Sequence, residues 1–235
     1  AGLLRKKRRR GFAAWGLALA LVALVLTGGA ILCLPVCSKT REPTSFLTAL
    51  FTATSATCVT GLIQVDTGTY WSTFGQVVII LLIQLGGLGF MTVSTIFFLA
   101  LRRRIGLRQR MVLAQGLGVS SMSGVVRYVR NVILGTFCVE GAGALILFFR
   151  FLPEFGFGKA LWYGVFHSIS AFCNAGFDIL ADVEYGGSIA RYATDPVINL
   201  TLMALIVIGS LGFTVWGEIR RTRRFSRLSV YARLV

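Results

Sequence analysis

The chain has 235 residues, 55% of them hydrophobic and 14% charged, with a mean hydropathy of +0.76. About half of a soluble domain's usual charge is missing, which argues against an ordinary soluble enzyme. The formal net charge of +15 would suggest a nucleic-acid partner if spread over a surface, but the Lys and Arg residues cluster between long apolar runs, so charge has to be read by position. Five cysteines without paired CxxC spacing and a single histidine indicate neither a disulfide scaffold nor a zinc or multi-His metal centre.

Taken in chain order, residues 12–34 form an uncharged run long enough for a helix to cross a hydrocarbon core of about 30 Å at about 1.5 Å per residue. Uncharged runs at 74–101 and 196–217 and a run at 131–149 broken only by Glu140 predict three more crossings, at about 74–101, 131–151 and 196–218. Between them, 43–62 and 159–177 are moderately apolar, rich in Ser, Thr, Ala and Gly, and too short and polar to be spans. The resulting expectation is an all-α integral membrane protein of two tandem units, each a span, a re-entrant helix with its loop, and a second span. Residues 1–110 form the first unit, 111–130 a cytoplasmic amphipathic connection, 131–221 the second unit, and 222–235 a basic cytoplasmic segment. Four crossings place 19 basic residues on one side, including Arg5, Arg102 and Arg220, and five on the other (Lys39, Arg41, Arg150, Lys159, Arg191). The side rich in positive charge is cytoplasmic, with both termini inside. Seven of the nine acids then lie outside, a balance that favours cation entry from there. The basic clusters serve topology and contact with anionic lipid rather than nucleic acid.

The two units are copies. A shift of 115 residues sets Ser45–Leu62 over Ala160–Phe177 with five of 18 positions identical: Phe51/Phe166, Ser55/Ser170, Ala56/Ala171, Cys58/Cys173 and Gly61/Gly176. A shift of 123 residues sets Gly86-Gly87-Leu88-Gly89-Phe90 over Gly209-Ser210-Leu211-Gly212-Phe213. Duplicated units of this kind build a site around a membrane axis. Each short segment begins and ends outside, so it must dip into the membrane, where irregular backbone survives only if buried in protein or lining water. The first dip opens at Pro43-Thr44-Ser45, runs helically through Phe46, Leu50, Phe51 and Thr54, and breaks over Thr57–Gly61. Its carbonyl end, the negative end of the dipole, aims at mid-membrane. Extended residues climbing back out present carbonyls, and Gly61 and Gly176 keep those oxygens turned to an axis. This arrangement is a cation selectivity filter, with the main-chain oxygens of Val59, Thr60 and Gly61 and of Asn174, Ala175 and Gly176 as its ligands.

The segments Ala53–Leu62, Asp66–Thr69, Gln84–Thr92, Phe166–Phe177 and Gly212-Phe213-Thr214 together resemble the Trk/Ktr/HKT potassium transporter superfamily, and within it the bacterial KtrB-type translocating subunits. The resemblance covers nearly the whole chain. It implies a pore of four such repeats with one filter glycine each, of which this chain supplies the first two, so that two further repeats or a second copy would complete it. It also implies K⁺ as the transported ion, Na⁺ as a modulator, homodimers of full-length subunits, and a cytoplasmic ring of nucleotide-binding regulatory subunits. The expected setting is the bacterial inner membrane. The chain itself has no GxGxxG or Walker loop and no catalytic constellation, so neither an organic cofactor nor an enzymatic role is expected.

Two other functions compete with K⁺ uptake: transport of Na⁺ or ammonium, and a membrane anchor whose basic face recruits cytoplasmic partners. An ammonium path calls for aromatic and paired His residues, and an anchor needs no duplicated Gly loops. His167, without a carboxylate, Cys or Ser constellation in the sequence, reads as a packed hydrogen-bonding residue. Cys58 and Cys173 are expected to pack behind the filter. Glu140 has two open readings, a cation or proton step and a buried partner for a Ser, Thr or Arg of another helix. Gly86, Gly87, Gly89, Gly209 and Gly212 free one face of each inner helix for close approach.

Overall fold

Short polar side chains set the helix starts in this chain. The Ser72 hydroxyl accepts from Gly75 N at 3.2 Å, the Asp195 carboxylate from Val197 N and Ile198 N at 2.9 and 3.2 Å, and Asp66 from Thr69 N at 2.8 Å. Each satisfies a backbone donor that a helix leaves open in its first turn. The computed structural model describes residues 18–89, 125–182, 187–211 and 215–216. There the chain forms α1 (Ala18–Leu32), α2 (Phe46–Cys58), α3 (Thr67–Tyr70), α4 (Thr73–Gly87), α5 (Val125–Phe172) and α6 (Pro196–Ser210). Turns of 3-10 helix lie at Pro35–Cys37, Leu180–Asp182 and Ile189–Tyr192. Among the described residues the one bridge between extended backbones joins Ser38 to Trp71, so the fold is all-α.

The helix lengths revise several expected boundaries. One described helical stretch, Arg130–Phe172, contains an apolar window long enough to cross a membrane, whereas α1, α2, α4 and α6 are shorter apolar helices. The run 74–101 is not one continuous helix: α4 stops at Gly87, and Gly89 follows at φ +76°, a left-handed geometry that ends helices cheaply only at glycine. Residues 90–101, 111–124 and 222–235 lie outside the described residues, as do Gly212, Phe213 and Thr214. The helix of the third run continues past 151. α5 starts at Val125, passes Arg150, and turns at Gly156 (φ 71°, ψ 173°), three residues after Pro153. Proline deprives the helix of a donor and glycine takes the non-helical angle, so arms 125–155 and 157–172 form a hairpin. The first helical dip also persists two residues longer than expected, with Thr57 and Cys58 still in α2.

Side chains of α1, α2, α4, both arms of α5 and α6 share one core with Trp71, in which Leu32, Trp71, Ile79, Ile83, Leu147, Phe151, Phe166 and Ile198 are fully buried. α2 packs on α4 and α5 on α6. The closest approaches lie at two glycines equivalent under the 123-residue shift. A Cβ on Gly86 would overlap the carbonyl oxygen of Thr57, and one on Gly209 that of Phe172; Thr57 and Phe172 are themselves equivalent under the 115-residue shift. In each copy, therefore, the C-terminal end of the preceding short helix rests on bare backbone of the helix that follows. Because the obstruction is main chain and cannot swing aside, Gly86→Ala and Gly209→Ala should each destabilise by about 3 kcal/mol or more. Gly141→Ala, with open space around its Cβ, should be neutral or stabilising by up to about 1 kcal/mol. Thermal unfolding of the solubilised variants, with the yield of monodisperse protein, measures the contrast.

Candidate functional site: two glycine-centred loops

α2 and the arm 157–172 end in the same way. Val59 and Asn174 take left-handed angles, with φ 56° and 59°. Val59 N donates to Ala56 O at 3.3 Å and Thr60 N to Ser55 O at 3.0 Å; Asn174 N donates to Ala171 O at 3.0 Å and Ala175 N to Ser170 O at 2.7 Å. These are the paired bonds of a Schellman ending, which glycine usually occupies. Asn tolerates the left-handed position, but a β-branched Val there is a backbone outlier costing about 1–2 kcal/mol. Two residues on, Gly61 and Gly176 return to positive φ, at 73° and 71°, while Thr60 and Ala175 do not. The loops are thus not simply extended, as the sequence suggested; the sign of φ alternates along each.

The structure brings the two triplets together. A Cβ built on Gly61 would stand 2.5 Å from Ala175 O and 3.5 Å from the Gly176 Cα, and one on Gly176 would stand 3.8 Å from the Gly61 Cα. Among the described residues, no hydrogen bond ends on the carbonyl oxygens of Val59, Thr60, Gly61, Asn174, Ala175 or Gly176. Of the six oxygens named from sequence, that of Ala175 lies directly against Gly61. Supporting bonds come from equivalent serines: Thr60 Oγ1 donates to Ser55 Oγ at 3.0 Å, and Ser170 Oγ to Phe177 O at 2.8 Å. The identity Ser55/Ser170 in the repeat was the signal for these two, although the sequence gave no role for either.

Cys173 packs as expected, with its Sγ 2.5 Å from where a Gly87 Cβ would be; Cys58 does not, and is exposed. Of the other glycines on the inner helices, Gly89 has open space around it. Glu140 is 3% exposed, and both its oxygens accept from Gln84 Nε2, at 3.0 and 3.1 Å. Its partner is thus Gln, not the Ser, Thr or Arg anticipated for its side chain; Ser168 Oγ reaches its main-chain oxygen instead, at 2.6 Å. A second polar link between the copies runs from Trp162 Nε1 to Gln76 Oε1 at 2.7 Å.

His167 is packed and hydrogen-bonded, with Nδ1 2.8 Å from Tyr163 O and Nε2 3.0 Å from Asp178 Oδ1. Asp178 is the carboxylate that sequence reasoning missed, because it sits eleven residues beyond the histidine. It lies past the second loop and gathers the segment that follows: Leu180 N, Ser188 Oγ and Ile189 N donate to it at 2.8, 2.8 and 2.6 Å. Burial by itself would raise its pKa; the bond and charge of His167, with the two backbone donors, outweigh burial and bring it down to about 2. An unfolded carboxyl of this type titrates near about 3.9. A lowered folded value stabilises the fold fully above about pH 4, and the stabilisation, about 2–3 kcal/mol, is lost as pH falls through about 2. Asp178→Asn should lower the unfolding midpoint at neutral pH and flatten its decline between about pH 4 and 2. Midpoints measured against pH for both proteins check this; parallel acid limbs would assign the loss to other carboxylates.

Residues 20–233 match the TrkH family, described as a cation transport protein. The chain is 39% identical to the potassium/sodium uptake protein NtpJ of Enterococcus hirae over 211 residues, covering 90% of this chain and 46% of that one. It is 40% identical to the Ktr system potassium uptake protein B of Bacillus subtilis (93% and 48% covered) and 36% identical to that of Vibrio alginolyticus (92% and 47%). The chain spans about half the length of the curated relatives it matches. With a helix able to cross a bilayer and a match running over nearly all its residues, this is a membrane protein, and it belongs to the TrkH family of cation transport proteins.

Proposed function

We propose that this chain forms two of the repeats of a Ktr-type potassium uptake pore, and that the loops at 59–61 and 174–176 are its selectivity filter. The observation that carries the reading is the pair of equivalent loops lying side by side, each with a left-handed residue, a positive-φ glycine and open carbonyls. Alternation in the sign of φ turns successive carbonyls toward one side of the chain, which is what a dehydrated cation needs to recover the coordination it gives up on leaving water. α2 and the arm 157–172 are then re-entrant helices with their negative dipole ends directed at the ion. The relatives are named for potassium or potassium/sodium uptake, which supports K⁺ as the cargo and Na⁺ as the second cation to test.

In this reading the chain is not an enzyme, and residues 1–110 and 131–221 are the repeats joined by the cytoplasmic connection 111–130. Both termini face the cytoplasm of a bacterial inner membrane, and the segments around Asp66 and Asp178 face out, in keeping with the distribution of basic residues. Two repeats line half of a fourfold axis, so two more, covalently linked or from a second copy, complete the pore. A dimer of complete subunits on a cytoplasmic nucleotide-binding ring is the assembly that the resemblance to KtrB-type subunits implies, and two of the relatives are named as parts of a Ktr system.

Gly61 and Gly176 are the decisive residues. Each holds positive φ, and at Gly61 a side chain would meet Ala175 O. In the complete gene product, Gly61→Ser and Gly176→Ser should each weaken K⁺ over Na⁺ discrimination about tenfold, from a backbone cost of about 1–2 kcal/mol at the filter. Gly141→Ser, in open space on α5, should leave discrimination unchanged. Rb⁺ uptake with Na⁺ competition, normalised to protein in the membrane, measures both. Wild-type selectivity in the two loop variants at normal expression would end the reading of these loops as a filter.

A further inference from the structure

Behind the second loop the copies are joined by a chain of polar contacts that the loop geometry does not itself require. It starts at Glu140, fully enclosed in the arm 125–155 about 22 Å from the start of α5. A carboxylate in this position is costly to bury unless its oxygens are engaged. Gln84 on α4 engages both with one amide group. That fixes the amide plane, so Gln84 Oε1 turns the other way, to within 4.0 Å of Cys173 Sγ. Cys173 immediately precedes Asn174-Ala175-Gly176, and its sulfur fills the space left by the missing side chain of Gly87. Ser168 Oγ, reaching Glu140 O, ties the helix that leads into the loop to the same point. Among the described residues no Lys, Arg or His approaches Glu140.

The arrangement occurs once. The position equivalent to Gln84 under the 123-residue shift is Val207, and the equivalent of Cys173 is the exposed Cys58. A general packing requirement of the repeat would have placed polar residues in both copies.

We infer that Glu140 and Gln84 are positioning residues that set the selectivity of the second loop: they touch no ion, and they hold Cys173 and the triplet after it in register against α4 of the other repeat. This rests on the reading of the loops as a filter. It chooses between the two roles open to Glu140 in the sequence. With both oxygens accepting from Gln84 and the side chain buried, the carboxylate anchors protein at this point.

The test uses the complete gene product in membranes, with three variants. Gln84→Leu keeps the bulk and removes both ends of the contact. Glu140→Gln keeps the shape and removes the charge. The double variant Gln84→Glu with Glu140→Gln exchanges the partners. Two readouts are taken: the Na⁺ concentration that halves Rb⁺ uptake, normalised to protein, and the rate at which a small thiol reagent modifies Cys173, followed by mass spectrometry of its peptide. Gln84→Leu is expected to lose about fivefold in K⁺ over Na⁺ discrimination and to expose Cys173 about fivefold faster. Glu140→Gln should fall between, and the exchange should return both values to within about twofold of wild type. A merely structural role would lower the amount of protein and leave the discrimination ratio alone. Wild-type ratio and wild-type labelling in Gln84→Leu, or an exchange no better than the single variants, overturns the inference. If Gln84→Leu does not accumulate, Glu140→Gln and the exchange decide it by the same two measurements. If the wild-type protein does not discriminate K⁺ from Na⁺, the filter reading falls, whereas unchanged Cys173 labelling across the variants removes the brace itself.

Discussion

Two backbone carbonyls resting on two glycines hold this structure in its working shape. Thr57 and Phe172 are at or beside the last residues of α2 and α5, and their oxygens lie where a side chain on Gly86 or Gly209 would be. A helix end that close to a neighbouring helix axis leaves no freedom in the residues that follow. The Schellman bonds, the left-handed Val59 and Asn174, and the proximity of Gly61 to Ala175 are downstream of that approach. The strain at Val59 persists because the packing on either side over-determines it.

The duplication was legible because it is written in residue types that have few other uses. Gly61 and Gly176 occupy the same place in two otherwise divergent segments, and each takes the positive φ that only glycine adopts without strain. The apolar runs gave the helices, and Pro43-Thr44-Ser45 gave the start of α2 to within a residue. Less could be read where structure depends on partners distant in sequence. Gln84 looks like any polar residue in an apolar run until Glu140, 56 residues away, is brought beside it. Asp178 belongs by sequence to an outer loop, and only the fold places it on His167. The end of α4 was misread because an uncharged run does not mark where a glycine will turn the backbone, and Gly89 does so in open space with no steric demand for it.

The two copies share their loops and differ in what supports them. In the first, Thr60 leans on Ser55 and the following segment is capped by Asp66. In the second, Ser170 holds Phe177 and Asp178 gathers four donors. The links across the interface also come in two kinds: Trp162 to Gln76 is a neutral bond, whereas Glu140 to Gln84 involves a carboxylate. Equivalent loop backbones thus stand on unequal foundations.

The turn at Gly156 has a mechanical consequence. In the second copy a single residue joins the long arm 125–155 to the short arm 157–172. In the first, thirteen residues, with a 3-10 turn at Pro35–Cys37, separate Leu32 from Phe46, pinned midway by the Ser38–Trp71 bridge. A helix whose apolar length exceeds the local bilayer thickness tilts to fit. Tilt of the long arm therefore reaches the second loop through one glycine, whereas the segment after α1 is itself tied to Tyr70–Ser72, by Lys39 N to Tyr70 O and Ser72 N to Cys37 O, before the chain reaches α2.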